Sequence, residues 1–127
     1  MTQSDDIRRY AVRATTTDVF GRVLASARDQ HHVVDGPVQN GCPGEAITPA
    51  ELFLSGVAAC GAELIQVLAA QSGVPLRGVK VAIEAEQDRS APVRSDVSLF
   101  NRVRMQLELA GASDAQAQEL VEGFKRR

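Results

Sequence analysis

The sequence predicts an α+β fold: an antiparallel sheet packed on a long buried central helix, with a short C-terminal helix. Three observations lead there. Several segments alternate apolar and polar residues, the mark of strands with one buried face. One long apolar stretch has helix start and stop signals at its ends. Strands and helices do not take turns along the chain, which argues against a parallel βαβ sheet.

The 127 residues are read as one domain spanning 1–127, with the polar residues 1–6 expected to fray. From Ile7 to Thr15, Tyr10, Val12 and Ala14 alternate with Arg9 and Arg13, predicting a first strand. A second alternation runs through Val19, Gly21, Val23, Ala25 and Ala27. A short third one, His31 to Val34, ends at Asp35-Gly36-Pro37, which is turn chemistry. Residues 36–47 are rich in Gly and Pro and predict a loop, which carries Cys42.

Thr48-Pro49-Ala50-Glu51 supplies an N-cap threonine, a proline at the first helical position and a glutamate at N3. That combination satisfies otherwise orphaned backbone donors and starts a helix. Nothing breaks it until Gly73-Val74-Pro75, so it should have about 24 residues and span ~36 Å. Leu52, Phe53, Leu54, Val57, Leu64, Ile65, Val67 and Leu68 surround its whole circumference. Such a helix is either buried in a core or embedded in a membrane. Glu51, Glu63 and Gln66 interrupt the stretch and basic flanks are lacking, so no membrane span is expected. A chain this short has little material to surround such a helix. A second subunit is therefore expected to cover part of it, most simply in a two-fold homodimer.

Val79, Val81, Ile83 and Ala85 alternate with Lys80, Glu84 and Glu86. After a polar connection, 88–96, Val97, Leu99, Val103, Met105, Leu107 and Leu109 continue the strand pattern. Ser113 and Gln116 form a second possible capping box. Ala117, Leu120, Val121 and Phe124 follow at helical spacing, predicting a helix to the end at Arg127.

Composition excludes several function classes. Fourteen basic and sixteen acidic residues give a net charge of −2, which offers nothing for a phosphate backbone. Four Phe, one Tyr and no Trp make no base-stacking platform, so no nucleic-acid partner is expected. Two cysteines are too few for a disulfide scaffold or a four-cysteine zinc site. The start, MTQSDDIRRY, lacks an apolar signal region, which predicts a cytoplasmic protein with reduced thiols. His31 and His32 are neighbours on a strand and should point to opposite faces, so no shared metal is expected. No nucleotide-binding loop or nucleophile-elbow motif is present, and no cofactor is expected.

Each cysteine admits two readings. Cys60 is either a small core filler or a nucleophile on the buried helix. Its position alone does not activate it. It lies too far from the helix N-terminus for the dipole to help, apolar burial disfavours a thiolate, and Glu63 lies one turn on. A reactive Cys60 needs a cation from elsewhere, one of Arg22, Arg28, Arg102 or Arg104, which otherwise read as solvated strand charges. Cys42 is either an incidental loop thiol or a partner for Cys60.

The segment TPAELFLSGVAACGAELIQVLAAQSGVPLRGVKVAIEAE resembles the OsmC/Ohr family of osmotically inducible and organic hydroperoxide resistance proteins. The resemblance rests on Pro49, Glu51, Leu52, Ala59-Cys60, Gly73-Val74-Pro75 and Val79–Ala85, and covers roughly 36–110. It implies an intertwined homodimer with sites at the subunit interface. It also implies a thiol-dependent peroxidase in which Cys60 attacks an organic hydroperoxide, becomes a sulfenic acid and is resolved by a second thiol. The implied arginine is placed at Arg28. The implied partners are an external thiol reductant and a small apolar hydroperoxide or ligand. Three features depart from the pattern. The family's second cysteine, after the last helix and followed by Pro, and a closing strand have no counterpart up to Arg127. The catalytic glutamate of the hydroperoxide-resistance group falls opposite Ala50, not Glu51. The arginine-bearing loop has no clear counterpart. Cys42 or an external thiol is left to resolve Cys60. The alternative is a dimer that binds a small ligand with an inert Cys60.

Overall fold

The structure, a computed structural model, describes residues 6–127; of the expected frayed start at 1–6, residues 1–5 lie outside the described residues. Internal contacts divide the chain into two units, residues up to Leu52 and residues from Phe53 onward.

The first unit holds a three-stranded antiparallel sheet in the order β1 (Arg13–Thr16), β2 (Arg22–Ala27), β3 (Gln30–Asp35). A two-residue turn, Arg28-Asp29, joins β2 to β3, so Ala27 pairs with Gln30 and Arg22 with Asp35. The alternation from Ile7 predicts a longer first strand than forms. Pairing starts at Arg13, opposite Ser26. Beyond Ala27, β2 turns away into its hairpin, so residues 7–12 run out of a strand partner among the described residues. Tyr10 and Val12 are left 85 % and 81 % exposed. The second strand also starts later than its alternation predicts. Thr17–Gly21 makes the turn instead, with Thr17 N–H donating to Arg22 O (3.1 Å) and Arg22 N–H to Val19 O (3.0 Å).

The Gly/Pro loop leads through a 3₁₀ turn, Val38–Asn40, to helix α1 (Pro49–Ser72), whose first four residues belong to this unit. The expected capping box is present. Glu51 Oε1 accepts from Thr48 N (3.0 Å) and Thr48 Oγ1 (2.8 Å), and Glu51 N–H points back to Thr48 Oγ1 (3.4 Å). Helix α1 stops where predicted. Gly73 takes a left-handed φ of 70°, and Val74 N–H caps Ala69 O at 2.9 Å.

The second unit packs α1 on a two-stranded antiparallel ribbon, β4 (Gly78–Glu86) and β5 (Arg102–Ala110), and on α2 (Asp114–Lys125). Ile65, Ala69 and Leu120 are its buried centre, with Leu68, Leu107, Leu109 and Phe124 around them. Ser113 and Gln116 close the second capping box, with both reciprocal bonds formed (3.2 and 2.9 Å).

Two expectations are corrected here. The strands form two sheets, not one. Strand β5 begins at Arg102 rather than Val97. Asn101 falls where the apolar period needs a core residue, and its amide instead accepts from Asp88 N (2.8 Å) and donates to Ala91 O (2.7 Å). That organises the 87–101 connection as a loop. As expected of so short a chain, α1 is not buried all round by its own residues. Only Gly61, Ile65 and Ala69 are buried, while Phe53 is 65 % and Val67 38 % exposed.

Candidate functional site

Cys60 stands on α1 as a free cysteine at an exposed position, unlike a core filler. The reason lies in helical geometry. The buried stripe is Gly61, Ile65 and Ala69, recurring every four residues. Cys60 belongs to the neighbouring face with Phe53, Gly56, Glu63 and Val67, all of them open to solvent in the chain. At Gly61 the missing side chain admits a ring, since a methyl there would come within 3.3 Å of Phe124. At Gly56 no other part of the described residues, its own helix backbone aside, lies within 4 Å of such a methyl. The face around Cys60 is thus mostly apolar, with Glu63 as its one charge, and open to solvent within the chain. At one end Phe53 meets Phe100, with ring centroids 6.4 Å apart.

Glu51 is committed to the helix start. Its bonds from Thr48 N–H and then the Thr48 hydroxyl hold its carboxyl below the usual value, so it stays an ionised cap.

The first unit contains the most elaborate polar cluster among the described residues. Asp35, wholly buried, receives a two-pronged contact from Arg22: Nε to Oδ1 at 2.8 Å and Nη2 to Oδ2 at 2.9 Å. Its Oδ2 also accepts from Glu45 N (3.0 Å) and Ala46 N (2.9 Å), and its own N–H donates to Ile47 O (3.0 Å). The Arg22 guanidinium holds the Asp35 carboxyl far below its usual range. Burial opposes this, and the two backbone donors reinforce it. In turn Asp35 raises Arg22, so the guanidinium is always charged and already engaged. Sequence reading missed the pair, taking Asp35 as turn chemistry and Arg22 as a solvated charge. The signal was available in the hairpin register. A two-residue turn at 28–29 places residue 22 opposite residue 35.

Cys42 is half-buried on the same loop. Its thiol sits between Gly21 and Gly36, and a methyl on either glycine would overlap Sγ. Gly21 also has φ of 80°, a second reason for glycine there. The thiol donates to Asn40 O, at 3.8 Å.

Arg28 occupies the β2–β3 turn with φ of 53°, unusual for a residue with a side chain. Its carbonyl accepts from Arg13 Nη2 (3.1 Å), and its side chain projects from an exposed position. His31 and His32 take opposite faces, as expected of strand neighbours. His31 Nδ1 meets Ser26 Oγ at 2.7 Å, while His32 lines an apolar groove of about 260 Å³ with Ala14, Ala25 and Leu52. Among the described residues, no group of three or more His, Cys, Asp or Glu could hold a metal ion.

Comparison with known proteins gives the family. The family model described as OsmC-like protein matches residues 42–127. An OsmC-like protein from Mycoplasma pneumoniae superposes with a TM-score of 0.80 at 15 % identity, covering 94 % of this chain and 82 % of its own. An organic hydroperoxide resistance protein OsmC from Legionella pneumophila gives 0.72 at 21 % identity, over 96 % and 85 %. A putative organic hydroperoxide resistance protein from Vibrio cholerae, with captopril in one of its active sites, gives 0.65 at 21 % identity, over 97 % and 83 %. Comparison with curated proteins gave no match. The matched stretch carries Cys42, Cys60 and both helices, and the fold agrees over nearly the whole chain: the protein belongs to the OsmC-like family.

Proposed function

We propose that this protein is a thiol-dependent peroxidase that reduces organic hydroperoxides through Cys60 and works as a homodimer. The observation that carries this reading is the exposed Cys60 thiol on an apolar helix face. A nucleophile must reach its substrate, and apolar surroundings favour an alkyl hydroperoxide over hydrogen peroxide. The names of two of its structural relatives, organic hydroperoxide resistance proteins, support the same substrate class.

The Cys60 thiolate attacks the terminal peroxide oxygen and the O–O bond breaks. The alkoxide leaves as alcohol after taking a proton, and Cys60 becomes a sulfenic acid. A second thiol then displaces water to form a disulfide, which an external dithiol reduces. Arg28 is the proposed cation for the thiolate, since Arg22 is bound to Asp35. Cys42 is the proposed resolving thiol. The second subunit closes the apolar face of α1 into a pocket.

The test is hydroperoxide consumption with a dithiol reductant. Cys60→Ser should fall to the uncatalysed background, and equal rates for variant and wild type would sink the proposal. A rival reading, a dimer that binds a small apolar ligand with Cys60 inert, is favoured by Glu63. That carboxyl shares the exposed face one turn from the thiol. The rival expects no sulfenic acid to be trapped at Cys60 after peroxide treatment.

A further inference from the structure

We propose that Glu63 is a charge filter beside Cys60, so that the site takes uncharged organic electrophiles and turns away anionic ones. This role rests on the reading of Cys60 as the reacting thiol, and it narrows the substrate class of that site: neutral organic hydroperoxides, not hydroperoxides that carry a carboxylate.

Helix α1 holds two charged side chains in 24 residues, Glu51 and Glu63, and no basic one. Glu51 is tied to Thr48 at the helix start, more than two turns before Cys60. Glu63 lies one turn after Cys60 on the same open face, where side chains at this spacing have Cβ atoms about 5–6 Å apart. Among the described residues its carboxylate has no ion-pair or hydrogen-bond partner. The other members of the face, Phe53, Gly56 and Val67, are uncharged, so nothing on the helix offsets it.

Such a charge adds nothing to the apolar contact this face can make, and taking it out of water unpaired is costly. It therefore stays hydrated beside the thiol, and its field reaches whatever approaches the sulfur. At about 6 Å in water, two like unit charges repel enough to slow an anion about threefold, and more where the surroundings are less polar. A neutral molecule meets no such barrier. Arg28, the proposed cation for the thiolate, must then pair with the sulfur and not with Glu63, because an arginine held by Glu63 would cancel the filter.

The experiment compares two alkylating reagents of nearly equal size, neutral iodoacetamide and anionic iodoacetate, on the full chain, with Cys60 and Cys42 distinguished by peptide mapping. In both reactions the thiolate sulfur bonds to carbon, the carbon–iodine bond breaks and iodide leaves. The ratio of the two rates at Cys60 cancels the thiolate fraction, which Glu63→Gln itself changes. Gln and Glu are similar helix formers, so the variant keeps α1. At about 10 mM salt, the acetamide-to-acetate ratio at Cys60 should be larger in wild type than in Glu63→Gln by about threefold or more. That excess should vanish near about 1 M salt, and the ratio at Cys42 should be the same in both proteins. Equal ratios at Cys60 in the two proteins would overturn the proposal, as would a Cys60 that neither reagent alkylates. Cumene hydroperoxide and its ring-carboxylated analogue carry the test to the proposed reaction: the kcat/KM preference for the neutral compound should fall by a similar factor in the variant, and an unchanged preference overturns the filter. Consumption of neither hydroperoxide counts against the peroxidase reading alone, and the alkylation ratio still decides on Glu63.

Discussion

Asp35 shows how one side chain can decide a local structure. A buried carboxylate is costly unless its oxygens are paired, and here four donors meet it. Because folding lowers its pKa, the pH dependence has a definite sign. Its contribution is complete above the usual aspartate value of 3.8 and is lost as pH falls from there towards the folded value. Asp35→Asn should therefore lower the melting temperature at pH 7, and the gap should narrow below about pH 4. Thermal unfolding across a pH series checks this, and a gap that stays constant to pH 3 contradicts it. Cys42→Ser should leave the first sulfenic acid at Cys60 intact but slow turnover, measured by single- and multiple-turnover peroxide assays. Equal turnover would remove Cys42 from the resolving role.

The helices were the most legible elements, because both carry their start signals in adjacent residues. Removing either cap, by Thr48→Ala or Ser113→Ala, should cost about 1 kcal/mol in denaturant unfolding. Ile65→Ala, at the centre of the second core, should cost about 2–5 kcal/mol. The ribbon is legible for another reason. Its outer face sets Lys80 opposite Glu108, Glu84 opposite Arg104 and Glu86 opposite Arg102. Three facing pairs of opposite charge hold one register, since a slip of one residue would move every side chain to the other face. Strand ends were less legible. Residues 7–12 have a strand's alternation but no strand partner among the described residues, and Asn101 looks like a strand residue until its loop contacts are seen.

For the molecule as a whole, the apolar residues left open are the informative part. Tyr10, Val12, Phe20 and Phe53 are each more than 60 % exposed. Residues of this kind are what the proposed second subunit would cover. Under the proposed homodimer, light scattering after size exclusion should give twice the chain mass. Phe53→Glu should shift the protein towards monomer and lower peroxidase activity together. Monomeric wild type with full activity would contradict both.

By itself the sequence determined the two helices, their caps, the antiparallel strands and the helix that carries Cys60. These depend on neighbours three or four residues away, or on alternation within a segment. Tertiary structure alone decided which face of α1 is buried, that Cys60 lies beside that face rather than in it, and that Arg22, Asp35 and the 36–47 loop form one cluster. The physical reason is the range of the interaction. A cap is written in four consecutive residues. Asp35 is neutralised by a residue thirteen positions earlier and by amides ten and eleven positions later, through contacts that exist only once the hairpin has closed.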